Sequence, residues 1–129
     1  MAMLSMVVMA EKELYGVLES GTLTIFYDEA RGAKNGVLEW WNDDAIKAET
    51  TTVLFDASVA DARPTSTAGW FMGFELLTTV TDMDLLNTED VTTMKEMFSG
   101  CKLLTSLDFS THNTSKVTDM WGMFSGCEA

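Results

Sequence analysis

The chain has 129 residues, 47% of them hydrophobic and 22% charged, and a formal net charge of −12. That length suits one domain with a modest core, and that composition excludes a disordered chain. Twenty acids against eight bases repel nucleic acid and anionic lipid, so neither is expected as a partner.

Residues 1–12 open with the apolar, methionine-rich "MAMLSMVVMA". Val8-Met9-Ala10 has the small residues of a signal-peptide cleavage site, but the basic flank is missing and the apolar run is short. The stretch reads either as the stub of a secretion signal or as a buried first element. No apolar run approaches the ~20 residues of a membrane helix, so no membrane insertion is expected.

Residues 13–50 are predicted to form a β-rich cap. Tyr15 and Val17, then Leu23, Ile25 and Tyr27, alternate with more polar neighbours on either side of Ser20-Gly21, the pattern of a β-hairpin. Asn35-Gly36 marks a turn, and Val37 to Trp41 is predicted as a third strand. Residues 42–50, "NDDAIKAET", read as a polar connection holding a helical turn.

Residues 51–129 are built from repeats, in about three coils with the last incomplete. "MFSGC" occurs at Met97–Cys101 and again at Met123–Cys127, an offset of 26. It closes a longer unit that runs from Val91 to Cys101 and from Val117 to Cys127. An earlier unit matches at an offset of 27, with Trp70 to Phe74 answering to Met97 to Cys101 and Leu76 to Val80 answering to Leu103 to Leu107. Thr51 to Asp56 reads as a degenerate first copy.

Within a unit the period switches. Leu104, Leu107 and Phe109 follow a leucine-rich pattern whose last two residues share one face of a short strand. Val117, Met120, Met123 and Phe124 recur at helical spacing, as do Val91, Met94 and Phe98. Gly100 and Gly126 sit where a left-handed helix cap belongs. Such a unit cannot bury its apolar side alone and must stack on a neighbour. The expected repeat core is Val91, Met94, Phe98, Cys101, Leu104, Leu107, Phe109, Val117, Met120, Phe124 and Cys127. The predicted fold class is α+β: a short leucine-rich-repeat-type solenoid, strand plus short helix per coil, with an N-terminal β-hairpin cap.

The stretch "VTTMKEMFSGCKLLTSLDFSTHNTSKVTDMWGMFSGC" resembles the 26-residue surface-protein repeat of the BspA-like leucine-rich-repeat group of bacteria, much of it classed only as a domain of unknown function. "YGVLESGTLTIFYD" is similar to the region preceding such repeats in gut Bacteroidales proteins. The resemblance implies a cell-surface or secreted location, a role in adhesion, and a protein or host surface component as partner.

The residues give little sign of chemistry. Cys101 and Cys127 share a repeat position, and coils stacked ~4.8 Å apart would allow a disulfide between them. Phe74 holds the same position one unit earlier, which favours buried free thiols; a metal site is the weakest of the three readings. Asn87 and Asn113 are expected to bond neighbouring backbone, and Asn113-Thr114-Ser115 is a formal glycosylation sequon. His112 stands in a polar loop without a catalytic partner. The carboxylate pairs Asp43-Asp44, Asp82-Asp84 and Glu89-Asp90 lack an EF-hand spacing.

No cofactor is expected and the chain is not expected to be an enzyme. Candidate partner-binding residues are Trp121, Lys95, Thr111 and His112; Trp121 and Lys95 share a variable, solvent-facing repeat position. The alternative function is a structural self-assembly unit pairing through its C-terminal coil. That coil ends after the helical half, with Met120, Met123 and Phe124 expected to lack a neighbour on one side.

Overall fold

The computed structural model describes residues 11–129; the reading of "MAMLSMVVMA" falls outside them. The fold is mixed α+β with a small sheet in the strand order β1-β2-β3-β4. Strand β1 (Glu13–Glu19) and strand β2 (Thr22–Asp28) are antiparallel, and β3 (Thr52–Phe55) and β4 (Thr79–Thr81) continue the sheet in parallel.

The hairpin forms where the sequence places it. Ser20 and Gly21 have φ of 49° and 80°, the positive pair that a two-residue hairpin turn needs to match strand twist. Leu23 and Ile25 lie beside Val53 and Phe55 in register, and all four are buried. Val37 makes only one antiparallel bridge, to Gly16, through bonds of 2.9 and 2.8 Å. The strand predicted over Val37–Trp41 is therefore not formed. Trp40–Asn42 instead winds into a 3-10 turn, because the Trp40 indole turns inward against Trp41, Trp70 and Phe71.

Helix α1 (Asp44–Glu49) is the helical turn expected in 42–50. Asp43 caps it by accepting a 3.0 Å bond from the Ile46 amide, which satisfies one of the orphan donors of a first turn.

No helix forms at "MFSGC". The segments around residues 67–74, 94–101 and 120–127 are chains of overlapping tight turns. In the middle one, Met97 donates to Met94 O, Ser99 to Glu96 O and Cys101 to Phe98 O. Every fourth residue is left-handed: Gly69 and Gly73, then Glu96 and Gly100, then Gly122 and Gly126. A turn closed over a left-handed third residue cannot propagate a right-handed helix. The apolar spacing is that of a helix; the backbone is not.

The strand predicted across Leu107 and Phe109 is absent as well. Residues 103–109 carry no regular structure, and a cleft of about 280 Å³ lies among Val80, Asp82, Met83, Leu107, Asp108 and Thr111. The sheet therefore ends at β4.

One apolar core runs the length of the described chain, from Leu23 and Ile25 through Phe55, Phe71, Phe74 and Phe98 to Cys101, Leu104 and Met123. Val91, Met94, Phe98, Cys101 and Leu104 are buried as expected; Leu107, Phe109, Val117 and Cys127 are partly buried against the core. Met120 and Phe124, also expected inside, are 47% and 49% exposed. They lie on the 120–127 turn segment, which among the described residues has a neighbouring segment on one side only.

Candidate functional site

The repeat surface is the part of the molecule that the sequence singles out, and its geometry follows from where the backbone amides point. Alternate amides of the first two turn segments leave their segment and donate to the next. Thr67, Gly69, Phe71 and Gly73 bond the carbonyls of Thr93, Lys95, Met97 and Ser99 at 3.1, 2.9, 2.8 and 2.8 Å. Met94, Glu96, Phe98 and Gly100 repeat the pattern to Asp119, Trp121, Met123 and Ser125 at 2.9, 2.9, 3.0 and 2.7 Å. The remaining amides close the turns. Two sets of backbone bonds thus hold each segment rigid and in register.

Side chains reinforce that register. Phe71, Phe98 and Phe124 stack with centroids 5.4 and 6.0 Å apart. Thr92 donates both N–H and Oγ1–H to Thr65 O, and Thr118 does the same to Thr92 O. Charge alternates along two columns: Arg63, Asp90, Lys116 in one and Glu75, Lys102, Glu128 in the other. Lys116 bonds Asp90 at 3.0 Å and Lys102 lies 3.3 Å from Glu75. The Lys116 ammonium holds the Asp90 carboxyl below its ordinary range, and Asp90 in turn raises Lys116. Like charges at these offsets would repel, so a slip of one unit is disfavoured.

The cysteines belong to this scaffold. Both are free thiols. Cys101 Sγ donates to Phe71 O and Cys127 Sγ to Phe98 O, each at 3.2 Å. Burial, with a smaller push from Cys127, raises the Cys101 thiol to about 12. Such a thiol is a packing group, since reactivity belongs to the thiolate.

The asparagines bond neighbouring backbone, within their own loops. Asn87 and Asn113 each accept from the amide two residues on, at 2.9 Å, and so close local turns. The bond that ties these loops together comes from the buried Thr88, whose Oγ1 donates to Asn113 O at 2.9 Å.

His112 is not a solvated loop residue. Its Nε2 lies 2.9 Å from Met83 O, its Nδ1 is buried without a partner, and its ring packs on Phe109 at 5.1 Å. The role it shows is to tie the 109–113 loop to the 3-10 turn Met83–Leu85. Thr111 beside it is exposed.

Lys95 and Trp121 meet on the outside. Trp121 is 68% exposed, and Lys95 Nζ lies 5.4 Å from its ring centroid, within reach of a cation–π contact. The equivalent residue one unit earlier is Ala68. One rigid position thus carries three different side chains. Among the described residues no cluster of three or more His, Cys, Asp or Glu could hold a metal ion, and no helix is long and apolar enough to cross a membrane. Asp43, Glu89 and Asp90, from the acidic pairs, are engaged with the Ile46 amide, Arg63 and Lys116.

The repeats decide the family. The family described as "Mycoplasma protein of unknown function, DUF285" matches residues 65–129, half of the chain. The chain belongs to that family. The match begins at Thr65, the first threonine of the ladder, and takes in all three turn segments. No curated protein and no solved structure matches the chain.

Proposed function

We propose that this DUF285 chain is a short solenoid of the BspA-like leucine-rich-repeat type and a non-enzymatic recognition or adhesion module of a bacterial surface or secreted protein. Its partner is a protein or host surface component. The observation that carries the reading is the division of labour within the repeat. The positions that recur, Phe71, Phe98 and Phe124 or Phe74, Cys101 and Cys127, build the stack. The position that varies, Ala68, Lys95 and Trp121, lies at its surface. A large ring on a backbone fixed by two sets of hydrogen bonds loses little freedom on binding, which suits it to anchor a partner.

The test is binding of the purified chain to a panel of immobilised extracellular-matrix proteins, beside Trp121→Ala and Lys95→Ala. The expected result is saturable binding to at least one of them, weakened tenfold or more by Trp121→Ala at an unchanged melting temperature. Absence of saturable binding, or indifference to Trp121→Ala, sinks the reading.

A further inference from the structure

The sheet carries a second surface, away from the variable repeat position. Leu23, Ile25, Val53 and Phe55 face the core, so their neighbours in each strand face outward. Register sets Thr22 beside Thr52 and Thr79, and Thr24 beside Leu54 and Thr81. Threonines and one leucine thus form a grid on three strands, spaced ~4.8 Å across and ~7 Å along. The grid holds no charge, in a chain with twenty acids and eight bases. Threonine is branched at Cβ and stiff at χ1, so its hydroxyl and methyl are held in place.

The 30–36 loop walls one side of this face. Gly36 lies so close to the Tyr15 ring that a Cβ there would overlap Tyr15 Cδ2. The loop is pinned by Gly36 N–H to Arg31 O, Ala30 N–H to Asp28 Oδ1 and Arg31 to Glu13, each at 2.8 Å. Between loop and hairpin runs a groove of about 450 Å³, the size of a small-ligand site. Val17 and Phe26 give it an apolar lining, and Glu19, Thr24, Lys34 and Asn35 give it polar groups. Lys34 Nζ donates to Asp28 Oδ2 at 3.2 Å and lies 3.8 Å from the Phe26 ring centroid; an ammonium has three N–H groups to give. The Asn35 amide and the Thr24 hydroxyl can each donate and accept. From Phe26 to Thr22, which pairs with Glu19, β2 runs about 14 Å, room for roughly three linked sugar rings.

We propose that this groove and the threonine grid beside it bind an uncharged oligosaccharide. A sugar ring carries hydroxyls that donate and accept around its rim, and C–H groups on its faces. The rim suits Thr24, Lys34 and Asn35; the faces suit Val17, Leu54 and the threonine methyls. Charge decides against other ligands. Lys34 is already answered by Asp28 and Arg31 by Glu13, and a net charge of −12 repels an acidic chain. A cation would meet the Lys34 ammonium in the same groove as the Glu19 carboxylate. A sheet face offers a peptide no backbone groups, since these are paired within the sheet. The pinned loop and stiff hydroxyls lose little freedom on binding. The site goes beyond the recognition reading at Trp121 and shares no residue with it, so either can fail alone.

The probes are cellotetraose, maltotetraose and mannotetraose, with tetragalacturonate as the charged control. Each is titrated to millimolar concentration into the isotope-labelled chain, and amide shifts are followed by NMR. The expected result is saturable shifts at Thr24, Phe26, Asn35 and Thr52 with at least one neutral probe, and none with tetragalacturonate. Asn35→Gly keeps the left-handed backbone that Asn35 adopts at φ 53° and removes the amide; Thr24→Val removes the hydroxyl alone. Each should weaken binding about threefold to tenfold, the worth of one hydrogen bond, at an unchanged melting temperature. Trp121→Ala should bind as the parent does. No saturable shift with any neutral probe, equal shifts with tetragalacturonate, or indifference to both substitutions overturns the proposal. A loss with Trp121→Ala places the site on the repeats and overturns it as well.

Discussion

Glu96 holds, at φ 56°, the backbone position that Gly122 holds at φ 64° in the next unit. The two sit one above the other, and a Cβ on Gly122 would lie 3.3 Å from Glu96 Cγ. Left-handed backbone costs a non-glycine residue roughly 1–2 kcal/mol, partly offset because glycine is freer when unfolded. Glu96→Gly is therefore expected to stabilise the chain by up to about 1 kcal/mol. Gly122→Ala is expected to cost about 1 kcal/mol or more. Urea titrations of the two variants and the parent check the pair; a destabilised Glu96→Gly would mean that its side chain contributes more than its backbone strains.

Phe98 is the middle ring of the stack, fully buried between Phe71 and Phe124, whereas Leu103 is 46% exposed. Phe98→Ala removes the contact on both sides and should cost about 3–5 kcal/mol. Leu103→Ala should change stability by less than about 0.5 kcal/mol. Thermal melts decide this, and similar losses in both variants would contradict the position of the core.

Thiol labelling should separate the two cysteines. Cys101 is buried with its thiol raised to about 12, and Cys127 is partly buried. At pH 8 without denaturant, the Cys127→Ser protein should label far more slowly than the Cys101→Ser protein. In denaturant both should label at the rate of a free cysteine. Equal, fast labelling of the native variants would show that the Phe71–Phe98 region opens readily.

Tyr15 ties the hairpin to its own end. Its hydroxyl donates to Asp28 Oδ1 at 2.6 Å. Burial first, and then the bond and charge of Asp28, push the phenol well above its ordinary value. A raised pKa stabilises the fold fully below the unfolded value of about 10, and that contribution is lost as pH rises beyond it. Burial pushes Asp28 up, but bonds from Tyr15, the Ala30 amide and Lys34 outweigh it and leave the carboxyl lowered. Its contribution is present above the unfolded value of about 3.9 and fades as pH falls through the lower folded one. Tyr15→Phe should therefore lose stability at neutral pH and flatten the alkaline fall above pH ~10. Melting temperatures from pH 3 to 11 test both limbs; an alkaline limb unchanged in Tyr15→Phe would remove Tyr15 as its cause.

Much of this molecule is legible in the amino-acid order. Ser20-Gly21 between two alternating runs specifies the hairpin, because only a turn with two positive φ values fits there. The repeat offsets of 27 and 26 pick out the residues that end up stacked, Phe71 with Phe98 and Phe124, because like positions must bury like surface. The exposure of Lys95 and Trp121 follows from the same comparison.

The path of the backbone between those residues needed the tertiary structure. Apolar residues three and four apart suit a helix and a chain of tight turns equally well, since both bring them to one side. What separates the two is the destination of alternate amides, and at Phe98 that destination is Met123 O, 25 residues away. Leu107 and Phe109 have the alternation of a strand, but a strand needs a partner, and at that point the sheet has ended. His112 looks like a loop residue until folding sets it 2.9 Å from Met83 O. Trp40 reads as part of a strand until its indole finds Trp70 O. In each case the deciding partner is remote in sequence. Local pattern picks out most of the side chains that are buried, Met120 and Phe124 excepted, and only the packed chain fixes which backbone groups are paired.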